Sequence, residues 1–268
     1  MVKVGVTGIG GRMGSFIGLL AVQAEDMELA GALEAYGHKS IGTDAGLVIG
    51  TGSLGVTVTD DMEAAFRDVE IIIDFTIPDL TMKLARYASD AGKALVIGTT
   101  GLSDEEASQV KSYSKKIPIV MSPNMSIGVN VMFKVVSMLT RLLGDAYDVE
   151  IIETHHRLKK DAPSGTALGL ARSIAEARGI ELADHACYER HGIIGQRPEG
   201  QIGIQTLRAG DIVGDHTVLF AGNSERIEIT HRAHTRQNFA QGAIRAARWI
   251  QGRKPGLYTM MDVLGLAE

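Results

Sequence analysis

The first 24 residues constrain the fold of this chain more than any other stretch. Residues 3–7 are valine-rich with little alternation, as expected for a strand buried on both faces of a parallel sheet. They run directly into Gly8-Ile9-Gly10-Gly11-Arg12-Met13-Gly14, and residues 15–24 then show helical periodicity. Strand, glycine turn and helix in that order are the context a dinucleotide-binding loop requires, because the turn brings backbone N–H groups of a helix start against a diphosphate. The spacing Gly8-x-x-Gly11-x-x-Gly14 departs from the strict G-x-G-x-x-G, although Gly10 is present too. A second strand over 28–33 ends at Glu34, about twenty residues past Gly14, where an acid that accepts ribose hydroxyls belongs. An ordinary exposed strand-end carboxylate is the alternative, and the spacing argues against it.

The alternation continues. Residues 37–55 hold six glycines and read as a long connection, followed by a short strand over 55–59, a helix over 62–66 and a strong apolar strand over 70–75. Pro78 opens a helix reaching Ala91, residues 93–97 form a strand delivering Gly98-Thr99-Thr100-Gly101, and Ser103-Asp-Glu-Glu106 caps the next helix. A strand over 117–121 closes the series. Repeated strand–helix units with loops at the strand C-termini predict a Rossmann-like, doubly wound parallel sheet, that is, an α/β fold. Ser122-Pro123-Asn124-Met125 marks a change in organisation, and a helical pattern over 128–143 follows. Three closely spaced strands over 203–208, 216–221 and 226–233 read as antiparallel. They predict a second α+β domain over 127–235, with the helix over 238–250 and the tail returning to the first domain, 1–126 plus 236–268.

The densest chemistry lies at 153–167, ETHHRLKKDAPSGTA. Two imidazoles, a guanidinium and two ammonium groups fall within seven residues after a strand over 149–153. Asp161 and Pro163 halt the chain, and Ser164-Gly165-Thr166 opens a helix. A helix start attracts anions, so the stretch describes a site for a small carboxylate-bearing molecule. A basic loop is often only a solvated surface, and a zinc site lacks further ligands at suitable spacing. The DAPSGT helix start is what a solvated loop does not need.

This stretch closely resembles the signature of the dihydrodipicolinate reductase family, from the diaminopimelate route to lysine. The resemblance covers nearly the whole chain. It implies reduction of 4-hydroxy-tetrahydrodipicolinate with NADH or NADPH, with His155 and Lys159 handling the proton and His156, Gly165 and Thr166 holding substrate carboxylates. It further implies cofactor contacts from Gly8, Ile9, Gly10, Gly11, Arg12, Met13, Glu34, Gly98, Thr99, Thr100, Ser122, Pro123, Asn124 and Met125, no metal, and a homotetramer built through the second domain. Some members carry Arg directly after the ribose acid, where this chain has Ala35; Glu34 alone then favours NADH, with His38 and Lys39 close enough to compensate.

Competing classes fit less well. A semialdehyde dehydrogenase of the acylating kind needs a catalytic cysteine, and Cys187, the only cysteine, has no motif around it. A redox-sensing protein that binds NAD(P)H has no use for ETHHRLKKDAPSGTA. A net charge of −5 gives no global pull toward nucleic acid, and a single cysteine excludes an internal disulfide. Residues 1–11 read as a strand rather than a signal peptide, and the apolar run over 16–22 is too short to span a bilayer. The expectation is a cytoplasmic protein.

Overall fold

The computed structural model describes residues 1–267 and divides into two compact units, 1–127 with 237–268 and 128–236. The first unit begins with β1 (Val2–Thr7), α1 (Arg12–Gln23), β2 (Met27–Leu33), α2 (Ala45–Ile49) and α3 (Met62–Phe66). It continues through β3 (Ile71–Asp74), α4 (Pro78–Ala91), β4 (Ala94–Ile97), α5 (Asp104–Tyr113) and β5 (Pro118–Met121). The second unit holds α6 (Ile127–Leu143), β6 (Asp148–His155), α7 (Gly165–Arg178), α8 (Leu182–His185), β7 (Ala186–Cys187), β8 (Ile202–Arg208), β9 (Gly214–Ala221) and β10 (Arg226–Ala233). The chain then returns to the first unit with α9 (Gln237–Ile250), β11 (Gly256–Tyr258) and α10 (Met260–Leu264).

In the first unit six strands form one all-parallel sheet in the order β11-β5-β4-β3-β1-β2. The unalternating apolar strands follow from burial on both faces. Ile71 and Ile73 of β3 join Val4, Val6, Val96 and Val120 beneath α1 and α9, while Ile72 joins Leu95, Ile97 and Ile119 on the opposite face with Phe66, Leu84 and Val110. Two apolar layers sandwich one parallel sheet, which is the doubly wound arrangement.

Two details differ from the sequence expectations. Residues 55–59 form no strand; only the single bridges Leu33–Thr59 and Asp44–Thr57 occur there. The long connection is instead organised by Asp44, which caps α2 and also accepts hydrogen bonds from Ser53 Oγ and the backbone N–H groups of Leu54 and Gly55. The Leu54 amide and its neighbours hold this carboxyl down at about 2. The Asp44 side chain takes the Leu54 and Gly55 amides, and scattered backbone bonds such as Val58 N–H to Thr43 O and Thr59 N–H to Ala32 O satisfy the rest without a continuous ladder. Three residues at the C-terminal end, β11, extend the sheet beside β5 and carry no period long enough to read from sequence.

The second unit is a five-stranded mixed sheet in the order β10-β9-β6-β8-β7. β8 runs parallel to β6 rather than antiparallel to its sequence neighbour β9, which pairs with the other edge of β6. The helix α7 is the reason: a parallel partner needs a crossover, and α7 supplies it. One sheet face packs Val149, Ile151, Ile204, Val218 and Phe220 against Leu170 and Ile174 of α7 and Met132 and Val136 of α6. On the other face Ile152 and Leu207 are 39% and 46% exposed. By length and composition alone α6 with the turn after it could cross a membrane, a feature the short run over 16–22 did not anticipate. Its Val129, Met132, Val136 and Thr140 are nevertheless buried, as in an amphipathic core helix.

Candidate active site

In the first unit the predicted nucleotide segments sit at the C-terminal edge of the parallel sheet, where open α/β sheets take ligands. Gly8 adopts φ +61°, which a side chain would disfavour, and its N–H donates to Leu33 O at 2.8 Å. A Cβ at Gly14 would lie 2.0 Å from Gly8 O, so only glycine lets α1 approach the turn. Ile9 is buried and anchors the loop, whereas Gly10, Gly11 and Arg12 are exposed and Met13 is half-buried. Gly11 is the N-cap of α1, offers no side-chain cap and is followed by no acidic residue in the first turn. That helix start suits a diphosphate. Glu34 directly follows β2, and its carboxylate accepts from Gly10 N–H and Ala35 N–H, each at 2.9 Å. A carboxylate has about four acceptor sites, so two remain for ribose hydroxyls.

Beyond β4, Gly98 donates to Asp74 O, Thr99 is buried and Thr100 is exposed. Ser122 is buried and donates through its hydroxyl to Asn124 O at 3.1 Å. The Asn124 side chain accepts from Ser126 N–H, Pro123 is exposed, and Met125 is buried beside α9.

In the second unit the organising group is Glu153, fully buried on the same face of β6 as His155. Its carboxylate accepts His155 Nδ1–H at 2.5 Å, Ser164 N–H at 3.0 Å, Thr206 Oγ1–H at 3.2 Å, and both Arg208 guanidinium nitrogens at 3.0 Å. Burial alone would raise its pKa, but the hydrogen bonds from His155, Arg208 and Ser164 prevail and hold it at about 2. Because a carboxylate only accepts, His155 carries its proton on Nδ1 and leaves Nε2 for chemistry. A Cβ at Gly214 would lie 3.0 Å from that Nε2, so residue 214 keeps the nitrogen uncrowded.

The chain leaves β6 through His156, half-buried with its Nδ1 enclosed and unpartnered. Lys159 is mostly buried at 21% side-chain exposure and pairs with Asp161 at 2.9 Å. Arg208 also donates to Asp161 O at 2.7 Å, which ties the basic loop to the strand that holds Glu153. Ser164 is the N-cap of α7: its hydroxyl accepts from Ala167 N–H and contacts His216 Nε2 at 3.0 Å. Gly165 opens the helix into free space, Thr166 is half-buried beside it, and no acidic residue occupies the first turn. The arrangement offers a fixed imidazole, a mostly buried lysine and a helix start with no acidic residue in its first turn, all within one strand-to-helix connection. That is what is needed to orient an anion and hand it a proton. Among the described residues no group of three or more metal-ligating side chains occurs.

Residues 2–125 match the family described as Dihydrodipicolinate reductase, N-terminus, and residues 128–264 match Dihydrodipicolinate reductase, C-terminus. The chain belongs to the dihydrodipicolinate reductase family. It is 52% identical over 266 residues to the 4-hydroxy-tetrahydrodipicolinate reductase of Anaeromyxobacter dehalogenans strain 2CP-C, covering 99% of this chain and 98% of that one. The enzyme of the same description from Citrifermentans bemidjiense is 49% identical, with 99% and 100% covered. Among solved structures, the dipicolinate-bound dihydrodipicolinate reductase from Paenisporosarcina sp. TG-14 is similar with TM-score 0.76 at 26% identity, covering 98% of each chain.

The supporting residues were the ones that spacing alone missed. Glu153 stands two residues before His155, which in a strand means the same face, so its role was readable in principle. Arg208, Thr206 and His216 reach the site only through the pairing of β6 with β8 and β9, which no local pattern encodes.

Two of these groups make the second unit acid-sensitive. Burial, then the neighbouring His155, pushes His216 down to about 3, so it folds in its neutral form. An unfolded His216 takes up a proton below about 6.5 while the folded one does not, so stability falls with pH from there. Glu153 adds to the fall below about 4.5, where its unfolded carboxyl protonates before the folded one. The melting temperature should therefore decrease steadily from pH 7 to pH 4, and His216→Gln should flatten the upper part of that decrease. A wild-type melting temperature constant between pH 6.5 and pH 4.5 would contradict the assignment.

Proposed function

We infer that this chain reduces 4-hydroxy-tetrahydrodipicolinate to tetrahydrodipicolinate with NAD(P)H, a step of the diaminopimelate route to lysine. The observation that carries the reading is the convergence on one strand end of His155, held by a buried carboxylate, and the start of α7. Family membership over the full length supports the same reaction. We assign nucleotide binding to the first unit and dicarboxylate binding to the second.

The glycine turn and the start of α1 bind the diphosphate, Glu34 takes the ribose hydroxyls, and residues 98–100 and 122–125 flank the remainder. When bound, the reduced nicotinamide supplies a hydride. Gly165, Thr166 and His156 hold the two carboxylates of the cyclic imine, fixing which carbon is presented. Negative charge develops toward the ring nitrogen during reduction, and Lys159, paired with Asp161, delivers the balancing proton there. His155, its Nδ1–H locked by Glu153, assists through Nε2. The hydroxyl of the substrate departs as water together with a hydrogen from the adjacent ring carbon, forming the C=C conjugated with the imine that the hydride then reduces.

An absorbance assay of NADH and NADPH oxidation with the cyclic condensation product of pyruvate and aspartate semialdehyde tests the reading. Activity should be present, and Lys159→Ala or His155→Ala should lower kcat by roughly 10²–10⁴-fold while nucleotide affinity stays within about twofold. A variant that lost nucleotide affinity and kept kcat would remove its residue from this role.

Cofactor choice rests on Glu34 and its neighbours. Ala35 offers no cation to a 2′-phosphate, and Lys39 is exposed. His38 accepts Ser40 N–H at its Nδ1, so its Nε2–H is the ring donor left for an anion. NADH should be used at least as well as NADPH. Ala35→Arg should lower the KM for NADPH, and added salt should shrink that gain because the new ion pair is exposed. A strong wild-type preference for NADPH that survives removal of both His38 and Lys39 would overturn this choice.

We also propose a homotetramer assembled through the uncovered sheet face that carries Ile152 and Leu207. Light scattering should find a particle of four 28.6 kDa chains, and Ile152→Lys should reduce its mass. A wild-type monomer would reject it.

A further inference from the structure

Asp74 is the last residue of β3 and is fully buried at the C-terminal edge of the parallel sheet. Among the described residues it forms no ion pair, and its side-chain partners are all hydroxyls. Thr7 donates at 2.7 Å, Thr76 at 2.6 Å and Thr99 at 3.0 Å, and Thr81 donates as well. These four hydroxyls come from four segments: the end of β1 before the glycine turn, the loop after β3, the second turn of α4, and the loop after β4. A carboxylate has about four acceptor sites and no donor, so four hydroxyls saturate it.

Burying a carboxylate is costly, and an apolar side chain would fill the space more cheaply. What the carboxylate adds is direction. Thr7 and Thr81 share their hydroxyl hydrogens with the carbonyls of Ile73 and Ile77, whereas those of Thr76 and Thr99 are directed at Asp74, so these two oxygens face elsewhere only as acceptors. Thr99 Oγ1 already accepts Thr76 N–H at 2.9 Å. The segment after Asp74 is also wedged between the two loops it links. The Thr76 methyl lies 3.3 Å from where a Cβ of Gly8 would be, and the Phe75 ring 2.2 Å from where a Cβ of Gly98 would be.

We propose that Asp74 is a positioning residue for the nucleotide, fixing the spacing between the Gly8 turn and the Gly98–Thr100 loop and orienting the Thr76 and Thr99 hydroxyls as acceptors toward cofactor donors. The proposal rests on the nucleotide-binding reading of the first unit and deepens it. Thr76, half-buried beside the glycine turn, is the hydroxyl positioned to receive a ribose or carboxamide proton.

The test measures the binary Kd of NADH by nicotinamide fluorescence, together with melting temperature and, in the assay, KM for the dicarboxylate and kcat. Asp74→Asn turns two acceptor sites into donors facing hydroxyls, and should raise the NADH Kd by about tenfold while the dicarboxylate KM moves by less than about twofold. Thr76→Val should raise the Kd by about threefold, and Thr76→Ser should lie closer to wild type than Thr76→Val does. A merely structural role would lower the melting temperature and weaken both ligands together. If Asp74→Asn fails to fold, Thr76→Val and Thr99→Val carry the same reading, each removing one hydroxyl from the carboxylate. Folded variants with the wild-type Kd for NADH, or with equal losses for both ligands, would overturn the proposal alone. A wild-type protein that binds neither NADH nor NADPH would overturn the nucleotide reading and this proposal with it.

Discussion

The five hydrogen bonds converging on the buried Glu153 carboxylate set the terms for the second unit. A buried charge needs its acceptors filled, and here a bidentate Arg208 takes two of them and brings the compensating cation as well. The same carboxylate fixes the tautomer of His155 on one side and the first residue of the α7 start, Ser164, on the other. The His155 imidazole and the start of α7 are thus registered to each other through a single residue. Removing Arg208 alone would leave the Glu153 charge in the interior without its cation, so the pair constrains which substitutions the unit tolerates.

The first unit solves a similar problem by opposite means. Asp74 occupies the equivalent place, the C-terminal end of a central strand, yet it is surrounded by threonine hydroxyls instead of cations. A neutral donor shell leaves the charge of Asp74 uncompensated, whereas Arg208 brings a full cation to Glu153. The two carboxylates therefore divide along the chemistry assigned to their units.

Most of the fold was legible because its signals are local. Valine and isoleucine runs without alternation gave the buried parallel strands, Ser103 with Glu106 gave a capping box that the structure contains, and Ser164 gave the N-cap of α7. Residues 55–59 misled because their backbone is met by isolated bridges to residues 42–45 and 32–34, with Asp44 taking Gly55 N–H, rather than by a continuous ladder. The direction of β8 misled because closeness in sequence argues for a hairpin, while the α7 crossover had already placed β8 on the other edge of β6. In the candidate site, the residues that carry titratable groups stood together in one stretch. Their supports, Arg208, Thr206 and His216, come from strands whose register is a tertiary fact.

The short strand β11 has a consequence for how the molecule keeps to itself. β5 is a run of Pro118, Ile119, Val120 and Met121, and β11 lies along the side of it that β4 does not occupy. Without those three residues, this apolar strand would end the sheet with unpaired amides and carbonyls, the arrangement that recruits strands from other molecules. The turn of helix that follows β11, begun by Thr259 and Asp262 in a reciprocal cap, buries Met260 and Val263 and so clamps the cover in place. Residues 256–258 thus move the edge of the sheet from a four-residue apolar strand to a three-residue one, and a short edge is one way of blunting it.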